Sequence, residues 1–184
     1  SANFEASKID AELEIAMDAA RTLAQTFSSV KNPANSEKLT RAQVNAILSE
    51  VLQSNPNFLG VYTAWEPNAF DGLDAEFANS TGTDETGRLI PYWVRGGDGK
   101  ILLDPLVDYE TEGAGEYYLC SKRTKQECLI DPYLYEIDGK MVLLTSTIVP
   151  IIVNDVFYGI AGIDIKLDFL QTMVDEINLY NGLA

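Results

Sequence analysis

The residue types able to do chemistry are unevenly supplied. There are 28 Asp and Glu against 13 Lys and Arg, a net charge of −15, and no histidine at all. Without imidazole, a Ser–His or Cys–His nucleophile is impossible, and so is a His-based zinc site. Carboxylate chemistry and calcium binding stay open. So acidic a surface repels nucleic-acid phosphates and anionic lipid, and no nucleic-acid partner is expected. Asn68, Asp71 and Asp74 could hold calcium through oxygens. They lack regular loop spacing, so a solvated acidic loop is the plainer reading, and no metal or cofactor is expected.

Cys120 and Cys128 are the two cysteines, separated by the polar run 121–127. Residues 117–120 and 128–130 read as strand arms of a hairpin that would face the sulfurs across it. A disulfide closing so short a loop is geometrically reasonable and suits an oxidising compartment such as the periplasm. Two reduced, buried cysteines in a cytosolic protein are the alternative. Asp164, within Gly162-Ile163-Asp164-Ile165, is poor strand material unless it has a partner. Tyr92 and Trp93 must point to opposite faces of a strand. Trp65, at the end of another apolar run, is either core or pocket.

The elements that position these residues follow from periodicity. Ile9, Leu13, Met17, Ala20, Leu23 and Phe27 recur at spacings of three and four, which predicts a helix over residues 4–30. It would be about 40 Å long, a surface helix or a stalk. Asn32-Pro33 breaks it. A second helix is expected from about Arg41, with Thr40 as N-cap and Val44, Ile47, Leu48, Val51 and Leu52 on one face. Strands are expected over 58–65, 89–95, 128–136, 141–153 and 157–165. Residues 66–87 read as loop, and 101–116 as a covering loop with a short helix. Gly96 to Gly99, Asp138-Gly139 and Asn154-Asp155 mark tight turns. A short helix over 167–177 closes the pattern. Hairpin turns imply an antiparallel sheet, and helices before strands imply an α+β fold. No run of 18 apolar residues is present to span a membrane.

This order resembles the extracellular Cache domain, the PAS-like PDC fold of methyl-accepting chemotaxis proteins. The resemblance rests on Phe58 to Gly72, on Gly87-Arg88-Leu89-Ile90-Pro91-Tyr92-Trp93-Val94-Arg95, on Asp131-Pro132-Tyr133, and on Gly159-Ile160-Ala161-Gly162-Ile163-Asp164-Ile165. Together these cover roughly residues 58–168. The resemblance implies a long N-terminal helix packed on a PAS-like antiparallel sheet with covering loops. It also implies a small-molecule pocket between sheet and loops. Family members that bind amino acids carry Arg-x-Trp-Tyr, then an Asp before a strand and an Asp in the closing strand. The Arg holds the ligand carboxylate, and the acids hold its ammonium. Here Tyr117 and Tyr118 stand at the Trp-Tyr positions, and Asp131 and Asp164 match the acids. Gly115 stands where the Arg would be. Arg95 is then the candidate to replace its charge. Failing that, the ligand is an amine or another cation caged by Tyr, Trp and Asp. The expected ligand-binding set is Trp65, Tyr92, Trp93, Arg95, Tyr117, Tyr118, Asp131, Tyr133 and Asp164.

The expected function is small-molecule sensing outside the cytoplasm by a membrane-anchored chemoreceptor, with an amino acid, amine or organic acid as ligand and no catalysis. Residues 1–57 would carry the signalling helices and a homodimer contact. Residues 58–177 would form the ligand module. Residues 178–184 would be an exit segment, or the start of a second module. Two rivals share the fold: the sensor of a histidine kinase or cyclic-dinucleotide enzyme, and a ligand-free dimerisation module. A two-carboxylate hydrolase would need paired acids on rigid strands, whereas acids here fall mainly in loops.

Overall fold

A computed structural model describes residues 2–167, with the side chains described from residue 9 onward. Helix α1 spans Ala2–Ser28 and α2 spans Arg41–Ser54. Thr40 caps α2 through a reciprocal pair with Gln43: its side chain accepts from the Gln43 N–H, while the Gln43 side chain accepts from the Thr40 N–H. That satisfies two otherwise orphaned donors and fixes where the helix starts.

The strands are β1 (Gly60–Trp65), β2 (Pro91–Arg95) and β3 (Ile101–Pro105). Helix α3 (Glu116–Thr124) follows. The remaining strands are β4 (Cys128–Leu129), β5 (Tyr133–Ile137), β6 (Lys140–Val153) and β7 (Val156–Lys166). All pairings are antiparallel, in the order β3-β2-β1-β7-β6, and β4 and β5 both pair along the outer side of β6. The fold is α+β, as expected. Two hairpins are set by turns in which both central residues have positive φ, Asp138-Gly139 at 50° and 70° and Asn154-Asp155 at 51° and 63°. This geometry matches the twist of the flanking strands.

The sheet has two apolar faces. Its back receives α1 and α2. Ala16, Ala20, Leu23, Ala24 and Phe27 of α1, with Val44, Leu48 and Leu52 of α2, pack on Val61, Trp65, Ile151, Ala161, Ile163 and Ile165. The alanines let the helix lie close on β6 and β7. The front face is covered by α3 and the loop after β3. Behind the sheet edge, buried Arg41 closes a clasp. It donates to both oxygens of Asp71 at 2.8 Å, to Asp74 at 2.7 Å and to the Gly87 carbonyl at 2.6 Å. The Asp71 and Asp74 carboxylates weighed above as calcium ligands are therefore engaged by a guanidinium.

Four expectations need correction or fall outside the described residues. Residues 101–105 form β3 rather than loop, because Ile101 to Pro105 extend the β2 hairpin in full register. Residues 117–120 belong to α3 rather than to a strand. Gly115 opens that helix, and Lys125 closes it in the left-handed region at φ 55°. The Cys120–Cys128 disulfide is present, but it ties a helix end to β4 rather than two arms of a hairpin. The helix expected over 167–177 and the segment 178–184 lie outside the described residues, except for Leu167.

Candidate functional site

Period-two alternation sorts the expected site residues onto two faces. On the front, Gly60, Tyr62 and Ala64 of β1 pair with Asp164, Gly162 and Ile160 of β7. Tyr92 pairs with Tyr62, and Ser146 pairs with Asp164. Two glycines make room for two rings. A Cβ on Gly60 would fall 2.4 Å from the Tyr92 ring, and one on Gly162 would fall 2.3 Å from the Tyr62 ring. Both rings therefore lie flat on bare backbone.

The result is a cluster of five tyrosines around one acid. Tyr62 meets Tyr92 edge-on at 5.6 Å and Tyr117 at 5.9 Å. Tyr135 meets Tyr92 at 5.7 Å, Tyr117 at 6.3 Å and Tyr133 at 6.4 Å. Edge-to-face contacts of this length are favourable. Tyr92 donates to Asp164 Oδ2 at 2.7 Å, and Ser146 donates to Asp164 Oδ1 at 2.6 Å. The Tyr133 hydroxyl is 2.8 Å from Ser146 Oγ. Tyr117 donates to the Val107 carbonyl and so holds the covering loop. Asp164 is 3% exposed and has no lysine or arginine salt-bridge partner among the described residues. Burial pushes its carboxyl up to about 6, against the opposing pull of the Ser146 and Tyr92 hydrogen bonds and of the nearby Tyr62 hydroxyl. Burial also raises Tyr62 and Tyr92, with the Asp164 charge adding to it, so both phenols stay protonated.

Beside this cluster a cleft of about 780 Å³ opens between the loop after β3 and the β5–β6 hairpin. Tyr92, Tyr133 and Tyr135 form one wall. Asp104, Asp108, Glu136 and Asp138 also line it, and no described lysine or arginine does. Asp164 lies behind the tyrosine wall.

The other expected residues lie elsewhere. Trp65 is fully buried on the back, edge-on to Phe70 at 5.0 Å. Trp93 also faces back and donates to Asn45 Oδ1 at 2.9 Å. Arg95 turns to the end of α2, where it donates to the carbonyls of Leu52 and Phe58 at 2.5 and 3.1 Å. There it neutralises the negative end of the helix and supplies no charge to the front. Asp131 is exposed. Tyr118 is buried, but in a separate corner with Glu66, Arg88 and Tyr109. In that corner Arg88 pairs with Glu110 at 3.2 Å, and Lys122 pairs with Glu66 at 3.0 Å.

Gly115 explains the missing guanidinium. A Cβ there would fall 2.5 Å from the Asp108 carbonyl oxygen, so this loop excludes any side chain. Sequence reasoning missed Tyr62, Tyr135 and Ser146. Two signals were available. Tyr62 lies three residues before Trp65, which puts it on the opposite face of the strand. Ser146 interrupts an apolar strand.

Comparison with known proteins identifies the family of the fold. The profile described as methyl-accepting chemotaxis protein-like, first PDC sensor domain, matches residues 44–172. The chain is 31% identical over 161 residues to the methyl-accepting chemotaxis protein TlpQ of Pseudomonas aeruginosa, covering 80% of this chain and 22% of that protein. The extracellular domain of mmHK1S-Z3, a protein assigned as a histidine kinase, superposes with a TM-score of 0.77 at 36% identity, over 89% of this chain and 55% of that one. A structure named Methyl-accepting Chemotaxis protein X gives a TM-score of 0.70 at 26% identity, over 90% of this chain and 59% of that one. The chain thus spans little more than half of these solved domains and about a fifth of the curated relative. It belongs to the methyl-accepting chemotaxis protein-like family of PDC, or Cache, sensor domains.

Proposed function

We propose that this chain is an extracytoplasmic sensing module that takes a small organic cation, an amine, at its tyrosine–aspartate front, and that it serves a membrane-anchored chemoreceptor. One observation carries the reading: among the described residues Asp164 is a buried carboxylate without a cationic partner, next to a cleft that they line with four acids and no lysine or arginine. A buried charge is costly unless paired, and an ammonium would supply the missing counter-charge. The tyrosine faces add cation–π attraction. A zwitterionic amino acid fits less well. Gly115 bars a guanidinium from the covering loop, and Arg95 is spent on α2. The ligand would enter from the cleft past Tyr92, whose ring rests over Gly60 beside Asp164. Turning that ring aside opens space next to the carboxylate.

In this proposal residues 58–167 form the ligand module. The two helices of residues 1–57 carry the signal and a homodimer contact. The 36% identity to a sensor assigned to a histidine kinase favours a second reading for the output, a kinase in place of a chemotaxis transducer. The ligand chemistry would be unchanged.

A thermal-shift panel of n-butylamine, phenethylamine, glutamate and succinate tests the ligand class. Native-state binding raises the melting temperature. The amines are expected to do so and the two acids to have no effect. A shift with glutamate or succinate and none with the amines would overturn the proposal.

A further inference from the structure

We infer that Tyr62 sets which amines the site accepts, its phenolic oxygen taking an N–H from a primary ammonium held at Asp164. This rests on the cation reading above. Among the described residues two buried side-chain polar atoms lack a hydrogen-bond partner, Tyr62 Oη and Trp65 Nε1. Trp65 lies on the back of the sheet. Tyr62 lies on the front, 1% exposed, in the middle of the tyrosine cluster. Its neighbours are all committed: Tyr92 and Ser146 to Asp164, Tyr133 to Ser146, and Tyr117 to the Val107 carbonyl. Folded proteins seldom leave a buried hydroxyl without a partner, and each exception calls for an explanation.

Position and rigidity supply one. Tyr62 stands opposite Gly162 on β7, two residues from Asp164, with its ring flat on the glycine backbone. The rings of Tyr92 and Tyr117 abut it edge-on from both sides. The hydroxyl is therefore held in place with no hydrogen bond of its own. It is near enough to Asp164 to help hold that charge, yet it has no hydrogen bond of acceptable geometry. A phenolic oxygen carries two acceptor lone pairs. A primary ammonium has three N–H donors, more than one carboxylate takes up. A quaternary ammonium has the same charge and no donor. Asp164 and the ring faces attract both kinds of cation, and the oxygen of Tyr62 separates them.

The test is calorimetric titration of the 184-residue chain with n-butylamine and with butyltrimethylammonium, for wild type, Tyr62→Phe and Asp164→Asn. Wild type should prefer n-butylamine. Tyr62→Phe should weaken n-butylamine by roughly tenfold or more, the usual worth of one hydrogen bond to a charged group, and leave butyltrimethylammonium unchanged. Because the Phe variant removes a buried hydroxyl that has no partner, its melting temperature should not fall. If Tyr62→Phe weakens both cations alike, the residue only supports the packing or the acid, and the inference is overturned. Retention of the wild-type preference overturns it as well. Asp164→Asn separates the two levels. Loss of both cations there, with the preference intact in Tyr62→Phe, refutes the role of Tyr62 alone. Unchanged binding in Asp164→Asn, or no binding of either cation to wild type, refutes the cation reading and this inference with it.

Discussion

Replacing Asp164 with asparagine should make the ligand-free protein more stable while removing the amine affinity proposed above. The carboxyl is buried and held up to about 6, against 3.8 in the unfolded chain. At neutral pH folding therefore carries an ionised group into a place that prefers it neutral. Each tenfold gain in proton affinity corresponds to about 1.4 kcal/mol, so the ionised carboxylate opposes folding by about 3 kcal/mol at pH 7. Asparagine keeps the shape but has one acceptor oxygen where the carboxylate has two, so one of the Tyr92 and Ser146 hydroxyls must exchange donating for accepting from the amide NH2. Allowing about 1 to 2 kcal/mol for that exchange leaves a net gain of about 1 to 2 kcal/mol, or roughly 2–8 °C in melting temperature.

The sign with pH follows from proton counting. Between 3.8 and about 6 the native state holds more protons than the unfolded state, so this residue's contribution to stability falls as pH rises through that window. The advantage of Asp164→Asn over wild type should shrink by roughly half of the ionisation cost between pH 7 and pH 5, and that cost should vanish below the unfolded-state value. Urea denaturation of both proteins at pH 7, 5 and 4 measures it. A variant less stable than wild type at pH 7, or a difference that does not change with pH, would show that the carboxylate is stabilised where it sits and needs no counter-ion.

Two further outcomes are expected. Cys120→Ala with Cys128→Ala should cost about 2.5 kcal/mol in urea denaturation by the loop-entropy relation, since the bridge spans eight residues of sequence. Reducing the wild type should reproduce the loss, and equal stability of the oxidised and reduced forms would refute it. Arg41→Ala should cost about 3–5 kcal/mol, because it strands Asp71 and buried Asp74 without their cation. A change under about 1 kcal/mol, measured by urea denaturation, would show that the clasp is ornamental.

Much of the frame was legible because local chemistry and global fold agree at particular places. The Thr40–Gln43 capping box, Asp138-Gly139 and Asn154-Asp155 each stand where their backbone geometry requires them. The errors arose where local preference and tertiary packing disagree. Tyr117-Tyr118-Leu119-Cys120 has strand-like side chains, yet it forms a helix that buries Tyr117, Tyr118 and Ser121 against the sheet. Residues 101–105 end in Asp104-Pro105 and look like a loop, but pairing with β2 makes them an edge strand. At the site, alternation correctly puts Tyr92 and Trp93 on opposite faces without saying which face holds the pocket. That choice depends on where α1 and α2 dock. The docking puts Trp65, Trp93 and Arg95 on the helix side. Tyr62 and Ser146 become visible only once cross-strand register gathers them around Asp164.

The alanines of α1 have a mechanical consequence. Asp164 points forward from β7, while its chain neighbours Ile163 and Ile165 point back into the layer that also holds Ala16, Ala20 and Ala24. Side chains that short have no rotamers in which to absorb a displacement, and such close packing transmits strain. A small slide of the strand would therefore push on the helix backbone itself, so a displacement at the front face would reach the long helix through the thickness of a single strand.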